Sequence, residues 1–155
     1  MTPIELDQLA FRFFKLYAQC EYALKAMGYG RAGAKGVAEA DWDRFANERG
    51  TGVMKNNAAQ VVAARTYLLE RPPKRQVWAN GAVAWEAVPN NEKSIQILLG
   101  HIRRVRNNLY HGGKFNGKWI DPDRSEDLIS MSLVIMEALV EGDHELHAAV
   151  QGNVA

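Results

Sequence analysis

The chain contains one cysteine, Cys20, in 155 residues. A single thiol closes no internal disulfide and builds no cysteine-based zinc site, so a reducing, cytoplasmic compartment fits. No apolar run approaches the roughly 18 residues a membrane helix needs, and no basic start with an apolar core and cleavage site precedes the rest. Internal repeats and low-complexity tracts are missing too. Nor is there an excess of one charge: 19 Lys and Arg stand against 18 Asp and Glu, a net +1, which excludes a protein coated in positive charge. What is present is an ordinary globular balance, 47% hydrophobic and 24% charged. These bounds predict one compact soluble domain over residues 1–155, with the tail after about residue 142 peripheral.

The opening reads as a strong helix. Thr2-Pro3-Ile4-Glu5 has the Thr-x-x-Glu capping-box pattern with Pro at the first helical position. Leu9, Phe13, Leu16, Cys20, Leu24 and Met27 then recur at steps of three and four, and Gly28 and Gly30 supply a stop. Residues 31–40 read as a mobile glycine-containing loop. Asp41 is suited to cap a short helix through Trp42 and Phe45, ended by Gly50. Asn56 or Asn57 opens another helix through Val61, Val62 and Leu68, which Pro72-Pro73 terminates. Residues 76–86 place Asn80-Gly81 between two short apolar arms, a β-hairpin signal. A long helix follows from Asn90 or Asn91, with the stripe Ile95, Leu98, Ile102, Val105 and Leu109, ended by Gly112-Gly113. Asp123 or Ser125 opens a last long helix through Leu128, Met131, Ile135 and Leu139. The expected fold is all-α, a bundle of four to five helices with a short hairpin around 76–86. Trp78 and Trp85 are expected to cover apolar surface near the bundle.

The near-zero net charge conceals a segregation. From His101 to Ile120 the chain carries Arg103, Arg104, Arg106, Lys114 and Lys118 and no acid; Asp121 to Glu145 carries eight acids against Arg124 alone. A solvated basic face accounts for such a run. Basic residues interleaved with Tyr110, Phe115 and Trp119 equally suit phosphate contacts and base stacking on single-stranded nucleic acid.

Within this run Arg106, directly followed by Asn107, precedes His111 by five positions. Arg-Asn-x-Leu-x-His, late on a helix of a small helical protein, resembles the signature of the HEPN superfamily of metal-independent ribonucleases. Phe14-Lys15-Leu16-Tyr17, the stretch from Cys20 to Lys25 and the Asp41-Trp42-Asp43-Arg44-Phe45-Ala46 element look similar to small prokaryotic HEPN proteins as well. The resemblance implies a HEPN-like bundle that cleaves tRNA or mRNA without cofactor or metal. In it His111 transfers protons, Arg106 holds the phosphate and Asn107 orients one of them. Arg103, Arg104, Tyr110, Lys114 and Lys118 would contact RNA, and Glu21 would pair with Arg106 and tune the site. It also implies a homodimer, a toxin–antitoxin or phage-defence setting, and a regulatory protein partner.

The chemistry is self-consistent. RNA supplies its own nucleophile, the 2′-hydroxyl, so the enzyme needs a base, an acid and positive charge on the phosphorane. Histidine serves the first two roles and arginine the third. Geometry adds a constraint, because five residues turn an ideal helix through about 140°, which separates Arg106 from His111. Either the helix distorts between Tyr110 and Gly112, or a second subunit completes the site. Other accounts remain open. His111 alone reads as a helix-terminal histidine favoured by the dipole, and Arg106 as a stripe-edge arginine over the core. A non-catalytic module using the same basic cleft, or a helical interaction protein without nucleic acid, fits the pattern too. His144 and His147 lack metal-ligand spacing and read as a surface tail.

Overall fold

The structure is a computed structural model that describes residues 1–89, 92–112, 114 and 117–153. It is mainly helical, with two small antiparallel hairpins. Helix α1 (Pro3–Ala26) opens on the predicted capping box: the Thr2 hydroxyl accepts from the Glu5 N–H at 3.2 Å, and the Glu5 carboxylate accepts from the Thr2 N–H at 2.7 Å. Strands β1 (Gly30–Ala32) and β2 (Ala38–Ala40) then pair, with Arg31 opposite Glu39. The segment read as a mobile loop is therefore a hairpin. Its glycines had pointed to freedom, whereas its alternating short residues also permit pairing.

Helix α2 (Trp42–Arg49) starts at Asp41, whose carboxylate accepts from the Arg44 N–H at 3.1 Å, and ends at Gly50, both as anticipated. A short α3 (Thr51–Lys55) was not foreseen. Helix α4 (Ala59–Glu70) begins after Ala58; the Asn56 side chain accepts from the Ala58 N–H at 2.9 Å, so it shapes the approach rather than capping the helix. Strands β3 (Arg75–Ala79) and β4 (Ala82–Glu86) form the predicted hairpin. Asn80 and Gly81 have φ of 52° and 75°, the two positive values that a right-twisting two-residue turn demands.

Helices α5 (Ile95–Tyr110), α6 (Pro122–Glu141) and α7 (His144–Val150) complete the chain. The predicted start of α5 at Asn90 or Asn91 lies outside the described residues; the cap observed is Ser94. The cap of α6 is Asp121 with Pro122 at the first position, instead of Asp123 or Ser125. The tail expected to be peripheral is a correction: α7 buries Leu146 and Ala149 against the bundle, and α1 packs on it. Arg49 fixes it further, gripping both Asp143 carboxylate oxygens at 2.7 Å and Glu145 at 2.7 Å. The core is continuous, filled by Phe13 and Leu24 of α1, Phe45 of α2, Leu68 of α4, Ile102 of α5 and Ile135 of α6. Each such side chain contributes about 1.5–3 kcal/mol through burial. Among the described residues, no helix is long and apolar enough to cross a membrane.

Candidate functional site

Helix α5 carries the basic run. The Ser94 hydroxyl accepts from the Ile97 N–H at 3.2 Å, and the helix continues unbroken to Tyr110. His111 is its C-terminal cap and donates its N–H to the Asn107 carbonyl at 2.9 Å. Gly112 follows at φ +77°, a left-handed backbone that favours glycine and ends the helix.

Arg103, Asn107 and His111 are spaced by four and share one face. Together with Arg104, and with Arg75 and Gln76 of β3, they wall an open cleft of about 450 Å³. No carboxylate lines it among the described residues. Arg75 pairs across the hairpin with Glu86 at 2.6 Å, while neither Arg103 nor Arg104 belongs to any of the ion pairs found among the described residues. Burial, then the charge of Arg75, hold the Arg104 guanidinium below its ordinary range. Arg103 and Arg104 thus stand on this wall outside those ion pairs while Arg75 is shared with Glu86, and the cleft is electrostatically suited to an anion.

Arg106 faces elsewhere. Its guanidinium reaches Glu21 of α1 at 3.3 Å and lies over the Tyr17 ring, 5.0 Å from the centroid. The same Glu21 oxygen accepts from the Trp42 indole at 3.4 Å, and Tyr17 stacks on Trp42. The Arg106 Nε is buried without a hydrogen-bond partner. Because α5 stays regular, the divergence expected from helical geometry persists: the cleft takes His111 and Asn107 but not Arg106. The chain leaves the helix between Tyr110 and Gly112, where a distortion was expected, yet this does not bring Arg106 to the cleft.

The remaining predicted contacts divide three ways. Tyr110 is 65% exposed, lies parallel to Phe14 with centroids 6.4 Å apart, and meets the His111 ring edge-on at 5.1 Å. Lys114 is placed beside a second hollow, its ammonium 4.6 Å from the centre of the Trp85 ring. Lys118 lines a different depression, beside Met1, Thr2 and Trp119, and is not brought to the cleft. Trp119 is buried and donates to Asp7 at 2.8 Å, which makes it structural; Phe115 lies outside the described residues.

Arg75 and Gln76 were not foreseen as cleft residues. Their only sequence signal is position: a basic residue shortly after Pro72-Pro73, at the root of a hairpin. The segment leading to them is strapped to the bundle through successive carbonyls. Arg124 donates to those of Arg71 at 2.7 Å and Pro72 at 3.2 Å, Arg104 to that of Pro73 at 3.5 Å, and Asn108 to that of Lys74 at 2.9 Å. The strap runs between the cleft and the second hollow, of about 590 Å³, and Asn108 borders both. Another unanticipated group is His101, 4% exposed, with Nε2 unpartnered; burial, then the charge of Arg104, lower it to about 4. Compared with protein-family models, with curated proteins and with solved structures, the chain matches none.

Proposed function

We propose that the protein is a metal-independent endoribonuclease of the HEPN kind, with the α5–β3 cleft as its phosphate-binding and cleavage site. The observation that carries this is the cleft wall itself: one histidine and two asparagines beside three guanidinium groups, with no carboxylate among the described lining residues. Arg103, Arg104 and Arg75 hold the backbone phosphate and offset the charge that builds on the phosphorane oxygens. His111 removes the 2′-hydroxyl proton as the 2′-oxygen bonds to phosphorus. The bond from phosphorus to the 5′-oxygen breaks, that oxygen takes up a proton, and a 2′,3′-cyclic phosphate remains. Asn107 anchors the cap that sets His111 at the cleft.

Within one chain Arg106 is a positioning residue, joining α5 to Glu21 and Tyr17 of α1. In a symmetric homodimer the two α5 termini would face a shared cleft, which lets a second His111 protonate the leaving oxygen. A toxin or phage-defence role under control of a protein partner is the setting that goes with this activity.

The test is incubation of purified protein with total tRNA and with an mRNA in EDTA. Cleavage is expected, ending in cyclic phosphate. His111→Ala should lower it by about 10²–10⁴-fold, the usual range for loss of a proton-transfer group. Arg104→Ala should weaken RNA binding, and Arg106→Ala should reduce turnover. RNA binding without cleavage by the wild type would instead mark a non-catalytic binding module. Turnover that survives His111→Ala would remove His111 from the chemistry.

A further inference from the structure

Hairpin β3–β4 presents a face whose tip is open to solvent and whose half-buried root lines two hollows against the bundle. Gln76 lies opposite Trp85, and Trp78 opposite Val83, so the alternation of strand side chains puts these four on one face. Trp78 is 73% exposed and Val83 is exposed beside it, while Trp85 carries the Lys114 ammonium on its ring. This face begins at the His111 cleft, which Gln76 lines, and ends at the second hollow, which Trp85 lines.

We propose that Trp78 and Trp85 are stacking platforms for consecutive unpaired bases of a single-stranded RNA leaving the His111 cleft. This rests on the function proposed for that cleft and specifies its substrate.

Charge separates the two parts of such a track. The cleft wall is cationic without a lining carboxylate among the described residues and suits phosphate. The second hollow interleaves four cations, Arg71, Lys74, Lys114 and Arg124, with three acids, Asp121, Asp123 and Asp127, so it is less suited to a run of phosphates than the cleft and suits bases, which carry both donors and acceptors. Lys114 on the Trp85 ring has its charge partly withdrawn from water: burial, ahead of the charges around it, lowers its pKa. Register then sets the form of the nucleic acid. Trp78 and Trp85 are diagonal neighbours, a relation that spans about 7–8 Å in an antiparallel pair. Bases stacked in a duplex rise by only about 3.4 Å per strand position. Two indoles at roughly twice that spacing receive bases pulled apart from each other, not a continuous stack. Every base has a π-face, so the platform tolerates sequence and selects for lack of pairing.

The experiment uses the intact protein in EDTA and a fluorescein-labelled 12-nucleotide 2′-O-methyl RNA, whose blocked 2′-oxygen cannot attack. Anisotropy gives Kd for the single strand and for its duplex, and tryptophan emission gives an independent signal. Wild type should bind the single strand more tightly and show quenched emission, since Trp42 and Trp119 are buried and Trp78 is open. Trp78→Ala and Trp85→Ala should each weaken single-strand binding by about tenfold, with Trp78→Phe restoring most of it. Neither should change the dependence on salt, because stacking releases no counterions, whereas Arg104→Ala should flatten it. Equal binding of duplex and single strand, or binding within twofold of wild type in both alanine variants, overturns the platform. If Arg104→Ala still weakens binding in that case, the cleft stands and the hairpin inference alone falls. Failure of the wild type to bind either RNA overturns both.

Discussion

His101 shows how one buried side chain links the basic run to stability. It is enclosed, its Nε2 has no partner, and Arg104 lies near enough to oppose its protonation. Its pKa falls from the usual 6.5 to about 4, so between these values the unfolded chain binds a proton that the folded chain refuses. Stability is complete above pH 6.5, declines as pH falls towards 4, and loses no more from this group below that. The expected loss is on the order of 2 kcal/mol after allowing for solvent screening. Urea unfolding at pH 7.5, 6, 5 and 4 checks it; in His101→Phe this part of the slope should vanish. The sequence placed His101 at the edge of a cationic block without separating it from His111. Both are histidines on α5, but ten residues bring one into the core and leave the other at a cap facing the cleft, a difference set by packing against other elements.

At the scale of elements, the capping chemistry was legible and the tertiary anchors were not. The capping box on Thr2, the Asp41 cap and the Asn80-Gly81 turn are local, so residue types at fixed spacing reveal them. The start of α6 was displaced because Asp121 caps from a left-handed conformation, φ 49°, ahead of Pro122. The tail after Gly142 offered a further turn or two of helix, but its packing was not legible because the buried residues of α7 are Leu146 and Ala149, too few to make a stripe. Its hold comes from Arg49, 94 positions before Asp143. Arg49→Ala removes three charge-assisted hydrogen bonds and leaves the half-buried Asp143 carboxylate without that partner. A loss of about 2 kcal/mol is expected, with α7 amides exchanging faster than those of α5. Urea titration measures the first and hydrogen exchange the second; α7 exchange as slow as in wild type would show that burial alone holds it.

For the whole molecule, charge distribution matters more than total charge. With +1 overall and the basic and acidic blocks adjacent in sequence, the attraction to RNA that the proposed function requires would be local to the α5–β3 cleft, which no carboxylate lines among the described residues. Affinity for the 12-nucleotide probe should therefore drop steeply between 50 and 200 mM salt, by roughly tenfold or more for a few phosphate contacts, while a polyanion without bases competes weakly. Anisotropy across that salt series checks it. The Arg103–Asn107–His111 row follows from helical spacing, but the motif drew attention to Arg106 instead. The divergence of Arg106 was legible from the same arithmetic, but its contact with Glu21 depends on α1, 85 positions away. Arg75 joins the cleft only because a strap between α4 and β3 is tied down by side chains of α5 and α6. That strap has a consequence for the order of assembly. Its anchors lie 31 to 53 positions downstream, and its two prolines offer no amide hydrogen for local pairing. A nascent chain can therefore form the β3–β4 turn early yet cannot seat it until α5 and α6 have emerged. The cationic cleft wall is thus among the last surfaces to be completed, so whatever anion it binds is excluded until α5 and α6 are in place.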